Sequence, residues 1–169
     1  MDRRQFIKTT ATHGALLSVA SVISNKLFAA SLSSDLTDLS ASDLSIAIRT
    51  KKASCVEVMQ AYLDRIHRYN PVYNAIISMV DDDQLLNQAG KADQALARNE
   101  YWGWMHGMPH AVKDLKPVKG LPYTDGSPMF ATRIAQEDDP IVAKIRNQGA
   151  IFIGKTNTPE FGLGSQSYN

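Results

Sequence analysis

Asp139-Pro140-Ile141-Val142-Ala143-Lys144-Ile145-Arg146-Asn147-Gln148-Gly149-Ala150-Ile151-Phe152-Ile153-Gly154 is the stretch that decides the fold. Aspartate followed by proline starts a helix. The carboxylate accepts an otherwise unpaired backbone N–H, and proline at the first helical position gives up no hydrogen bond. Ile141, Val142 and Ile145 form an apolar face, and Gly149 can take the left-handed conformation that closes a helix. Residues 150–154 follow with no polar position, the pattern of a strand covered on both faces of a parallel sheet. Before the helix, Gly107-Met108-Pro109 turns the chain into His110-Ala111-Val112-Lys113-Asp114, a short apolar strand ending in charges. Strand, helix, strand in this order is a βαβ unit, so the fold class is α/β.

Working toward the N-terminus, the loop 116–123 is punctuated by Pro117, Gly120 and Pro122. Leu85, Leu86, Ala89, Ala92, Asp93 and Leu96 recur at helical spacing up to about Arg98. Asp81, Asp82 and Asp83 precede them, where a helix N-terminus favours negative charge. Three consecutive acids lack the alternate spacing of a calcium loop. Residues 74–80 are isoleucine-rich and read as a strand. Ser54-Cys55-Val56-Glu57 is a capping box. It opens a helix carrying Val56, Met59, Leu63 and Ile66, with Tyr62 and Tyr69 more loosely placed, expected to end at Asn70-Pro71. Tyr62 is expected in the core and His67 at the surface. Ser40 begins a first helix over 41–50 that buries Leu44, Ala47 and Ile48.

Residues 1–30 read as a targeting segment rather than as part of the fold. Arg3-Arg4-Gln5-Phe6-Ile7-Lys8 is a twin-arginine run, followed by an uncharged, mildly apolar stretch over 11–23 and the small pair Ala29-Ala30. That stretch is too short to span a bilayer, which takes about 20 apolar residues. The order fits a signal peptide for twin-arginine export to the periplasm, with the translocation machinery as partner and no stable membrane anchor. Residues 31–39 are serine-rich and read as a linker, leaving 40–169 as the folded domain.

The 169 residues are 44% hydrophobic and 21% charged with net charge +1, values of an ordinary globular chain. Near-neutral charge gives no reason to expect a nucleic-acid partner. One cysteine, Cys55, excludes an intrachain disulfide and a thiolate zinc site. No cofactor and no metal are expected.

Lys113 is the residue that suggests chemistry. From spacing alone, Lys113 and Asp114 make a surface pair where the strand meets solvent. The alternative is a lysine desolvated at an apolar strand end, serving as general base or Schiff-base nucleophile. Lys155 and Asn157 follow another strand at the end where open α/β sheets place their sites, although capping and turn roles fit them equally. His110 reads as a core histidine or one supporting the site, not a base.

Gly107-Met108-Pro109-His110-Ala111-Val112-Lys113-Asp114 resembles the G-[IVM]-P-x-x-[VL]-K-D segment of the amidase-signature family. Gly120, Thr124, Gly126 and Ser127 are similar to the G-x-x-T-x-G-S stretch that follows it. Residues 139–157, ending Gly154-Lys155-Thr156-Asn157, resemble that family's next block, and Pro159-Glu160-Phe161-Gly162 continues it. The resemblance covers about residues 40–169. It implies the N-terminal part of that fold, a mixed β-sheet flanked by α-helices. It also implies hydrolysis of a small-molecule carboxylic amide by a Ser–cis-Ser–Lys triad. Lys113 would be the triad lysine, which in the family takes a proton from a serine held by a cis peptide. That serine relays activation to the nucleophile, and an acyl-enzyme forms. Asp114 and Ser127 would support the site, Asp114 holding the strand end or partnering Lys113, and Ser127 equally suited to a turn.

This sequence departs from the family pattern in one respect: it has no G-G-S-S-G-G segment to supply the two serines. Ser165 and Ser167 read as loop hydroxyls. The expectation is therefore the N-terminal portion of an exported amidase, inactive alone, with residues 151–153 left at an open sheet edge. A non-catalytic exported binding module or pseudo-enzyme fragment is the alternative. The ammonia-supplying amidotransferase subunit of the same family is disfavoured by the export signal.

Overall fold

A computed structural model of the chain describes residues 36–167. The expected targeting segment, and the expected linker as far as residue 35, lie outside the described residues. Helix α1 (Ala41–Arg49) is capped by Ser40, whose hydroxyl accepts from Asp43 N–H, and it buries Leu44, Ala47 and Ile48 as expected. Just before it, Leu36–Asp38 form a 3-10 turn with Leu36 buried. These residues were expected in the linker; the buried leucine, and Arg65 donating to Thr37 and Asp38 at 2.9 Å, fasten them to the helix of residues 55–73.

Helix α2 (Cys55–Tyr73) opens with the expected capping box between Ser54 and Glu57. It runs past Pro71, not stopping before it. Pro71 lies in the last turn, so its missing N–H affects a single helical bond near the solvent-facing end. Tertiary bonds hold the extra turn. Asn70 accepts from Ile76 N–H and donates to Ile76 C=O, both at 2.8 Å. Asn74, left-handed at φ 45°, closes the helix with its N–H on Asn70 C=O. Met59 and Leu63 are buried as expected, together with Cys55 and Val58, and Ile66 is half-buried; Val56 is exposed. Tyr62 is half-buried, and His67 is at the surface beside Asp82.

Strand β1 (Ile76–Ile77) occupies two residues of the seven expected. Ser78 at φ 49° ends it, although Val80 N–H still reaches Ile153 C=O. Helix α3 (Asp82–Ala97) is capped by Asp81 and buries Leu85, Ala89, Ala92 and Leu96, as expected. Its Asp93 carboxylate accepts from Cys55 and Val56 N–H at 2.7 and 3.1 Å, satisfying the start of α2 from a neighbouring helix. At Gly107 a Cβ would stand 2.2 Å from Cys55 Sγ, so only glycine fits where the chain enters the sheet.

Strand β2 (Pro109–Lys113), helix α4 (Pro140–Asn147) and strand β3 (Ile151–Thr156) form the βαβ unit. The two strands are parallel, with Lys113 opposite Thr156. Asp139 caps α4, Pro140 is its first residue and Gly149 follows at φ 89°. Val142 is buried with Val112, Val118 and Phe152, and Ile145 packs against them, but Ile141 is exposed. The eight-residue helix has too narrow a contact to cover three positions of its apolar face.

The sheet is mixed in the order β1-β3-β2, because β1 pairs antiparallel with β3. This corrects the expected open edge: β3 is the central strand, and Ile151, Phe152 and Ile153 are 4–5% exposed. Gly154 permits the close approach of β1, since a Cβ there would meet Ile77 and Ser78 C=O at 3.1 Å.

Candidate functional site

The carboxyl ends of the parallel strands β2 and β3 gather the residues singled out by the sequence. Strand alternation sends Val112 inward and Lys113 outward, so the Lys113 side chain is exposed. The desolvated lysine is instead Lys155 on β3, completely buried. Its Nζ lies 3.2 Å from Asp114 Oδ1, also completely buried, and donates to Lys116 C=O at 2.6 Å. Burial holds the Lys155 ammonium below the usual lysine range, partly offset by Asp114. Asp125 favours the charge from farther away, and Arg133 opposes it. Asp114 therefore pairs with Lys155 on the neighbouring strand. A carboxylate buried beneath the sheet end needs a buried cation, which β3 supplies.

Asp114 also accepts from Thr124 N–H at 3.2 Å and from the Thr124 hydroxyl. Thr124 Oγ1 in turn accepts from Gly126 N–H at 3.1 Å. The loop after β2 is thereby tied to the strand end. Its other anchor is Arg133, which donates to Tyr123 C=O, pairs with Asp125 and lies over the Tyr123 and Phe130 rings at 3.9 and 4.1 Å.

This loop forms one wall of a cleft of about 470 Å³, lined by Ser78, Thr124, Gly126, Ser127, Pro128 and Glu160 among others. Ser127 is buried and donates to Glu160 Oε1 at 2.7 Å. Its Oγ also accepts from Met129 N–H at 3.4 Å, capping the 3-10 turn Pro128–Phe130. Ser127 thus serves the turn and the cleft wall together.

Asn157 takes a turn role: it donates to Asn74 C=O at 3.0 Å and accepts from Thr158 N–H. His110 is half-buried edge-on to Phe152, and burial pushes its pKa down, consistent with a core position. Ser165 and Ser167 are exposed loop residues. Sequence reasoning assigned no role to Glu160 or to the Asp125–Arg133 pair. Glu160 stood within a quoted block, but its partner lies far off in sequence. The Asp125–Arg133 pair carried no local signal.

A family model described as Amidase matches residues 57–169. This chain belongs to the amidase family. It is 38% identical over 136 residues to a glutamyl-tRNA(Gln) amidotransferase chain of Acidothermus cellulolyticus, covering 80% of this chain and 27% of that protein. It is 36% identical over 124 residues to an acylamidase of Rhodococcus erythropolis, covering 73% and 26%. Among solved amidases, the peptide amidase of Stenotrophomonas maltophilia superposes with a TM-score of 0.64 at 27% identity, covering 72% of this chain and 25% of that one. The chain thus spans about a quarter of the length of the relatives it matches. The α/β fold of helices around a small mixed sheet is that of amidase-family structures.

Proposed function

We propose that the chain contributes the general base to hydrolysis of a carboxylic amide by a Ser–cis-Ser–Lys triad, with Lys113 as the lysine. The observation that carries this reading is Lys113 itself. It stands within the G-M-P-H-A-V-K-D block at the carboxyl end of a parallel strand in an amidase-family chain. Its exposure leaves Nζ able to reach a serine hydroxyl contributed from outside these residues. Lys113 Nζ accepts the proton of the bridging serine, which takes that of the nucleophilic serine. The nucleophile attacks the amide carbon, the amine leaves with a proton, and water releases the acid from the acyl-enzyme. The 169 residues contain no G-G-S-S-G-G segment, so the chain alone is inactive on this reading.

The test is a chimera in which this domain replaces the matching part of the Rhodococcus acylamidase. Amide hydrolysis by the chimera and its loss on Lys113→Ala, with folding retained, is the expected result. Equal turnover by the Lys113→Ala chimera would remove Lys113 from the mechanism.

We also propose twin-arginine export to the periplasm, on the strength of Arg3-Arg4-Gln5-Phe6-Ile7-Lys8. A reporter fused to residues 1–35 should be exported, and Arg3→Lys with Arg4→Lys should retain it in the cytoplasm. The same signal favours hydrolysis of a free amide over an amidotransferase role.

A further inference from the structure

Lys113 opens a turn: Lys116 N–H returns to Lys113 C=O at 3.0 Å. Inside that turn, Asp114 N–H extends the ladder to Thr156 C=O at 3.0 Å. A single buried side chain grips the turn at two further points. Lys155 Nζ pairs with the Asp114 carboxylate and donates to Lys116 C=O. Through Asp114 the same ammonium reaches Thr124, which lines the cleft.

We propose that Lys155 is a positioning residue for Lys113: from beneath the sheet it fixes the 113–116 turn and ties it to the cleft loop at Thr124. The proposal rests on the reading of Lys113 as the general base. Without the ammonium, the buried Asp114 carboxylate would lose its Lys155 partner and Lys116 C=O would lose its donor. The turn would then keep its Lys116-to-Lys113 bond, the ladder bond of Asp114 and the Lys116–Asp139 ion pair at 3.1 Å, but lose both contacts to the buried ammonium. A base must be held in hydrogen-bonding geometry with its partner, and small displacements are costly in rate. An exposed lysine with a long, flexible side chain depends for this on a rigid backbone. The other groups near Lys155 do not replace its grip: Asp125 is held by Arg133, and the Tyr123 ring centroid lies 5.4 Å from Nζ.

The test uses the 169-residue chain and needs no turnover. Lys155→Met keeps most of the side-chain length and removes the charge, but takes the cation from Asp114 and could unfold the chain. A second variant, Lys155→Met with Asp114→Leu, replaces the ion pair by an apolar one, an exchange that often leaves global stability unchanged. Amide exchange and carbonyl ¹³C shifts are followed by NMR. In the double variant, the Lys116 amide should exchange at least about tenfold faster, with Ile151 and Ile153 amides little changed. The Lys113 carbonyl shift, which reports the Lys116 N–H bond, should move as well. Unchanged exchange at Lys116 would overturn the proposal. So would an equal rise across β3, which would make the pair general core support, or failure of both variants to fold. If Lys155 holds the turn but Lys113→Ala leaves the chimera active, the catalytic reading fails and the positional finding stands.

Discussion

Lys155 Nζ and Asp114 Oδ1 meet at 3.2 Å with both side chains completely excluded from solvent. They join the ends of two adjacent parallel strands. Breaking such a pair from one side leaves an uncompensated buried charge, which costs about 3–5 kcal/mol. Asp114→Ala should therefore destabilise the chain by that order in urea unfolding. The exposed Lys113→Ala should change stability by no more than about 0.5 kcal/mol. The reverse order would mean that the two neighbouring residues had been assigned the wrong faces.

Alkaline pH offers a second test. Burial holds the folded-state pKa of Lys155 below the ordinary 10.5. Between that lowered value and 10.5 the unfolded chain binds more protons at this site than the folded chain does, so stability rises with pH. Below the window both states are protonated and the contribution is flat. Comparing urea midpoints of the wild type with those of Lys155→Met/Asp114→Leu isolates this group. The wild type should gain on the double variant as pH rises through the window, and a relative loss would contradict the assignment.

Acid should act through Asp138. Its carboxyl is held below the ordinary 3.8, mainly by the hydrogen bond from Arg146, and also by Lys119 N–H. This contribution is present above 3.8 and is lost as pH falls through the lowered value. Arg146 is 45% exposed, so solvent screening limits the pair to about 0.5–1 kcal/mol. Arg146→Ala should cost more at neutral pH than once Asp138 is protonated in both states, when its contact over the Phe152 ring at 4.6 Å remains, as measured by thermal unfolding.

Gly107→Ala places a methyl group where Cys55 Sγ already sits, at a backbone φ of 70° that disfavours a side chain. Overpacking of this kind costs about 1–3 kcal/mol, with a further penalty for the left-handed backbone. Paired with Cys55→Ala, which removes the sulfur, the substitution should be less harmful than the sum of the two single changes. Strict additivity would place the clash elsewhere.

A fluorophosphonate probe should leave the 169-residue chain unlabelled, since neither Ser127 nor Ser165 nor Ser167 is expected to act as a nucleophile. Covalent modification at any of them, read by mass spectrometry of peptides, would require a different mechanism.

The elements legible in the sequence are those whose signals are local. Asp139, Pro140 and Gly149 bracket α4, Ser54 and Glu57 open α2, and Asp81 opens α3, because caps act between residues a few positions apart. The uninterrupted apolar run before Gly154 announced a strand covered on both faces, and it is the central one. The block around Lys113 carried the family. What only the tertiary structure decided is which charge is buried and what neutralises it. Strand alternation turned Lys113 outward and Asp114 found its cation on β3, an adjacency that exists only once the parallel pair has formed. The same reason explains the shortened β1, the helix carried past Pro71 and the cap that Asp93 supplies to α2. Each depends on a partner distant in the chain, and local propensity gives no account of a contact that folding itself creates. Lys113 could be named from the sequence; that Lys155 grips the turn on which it stands could be seen only in the fold.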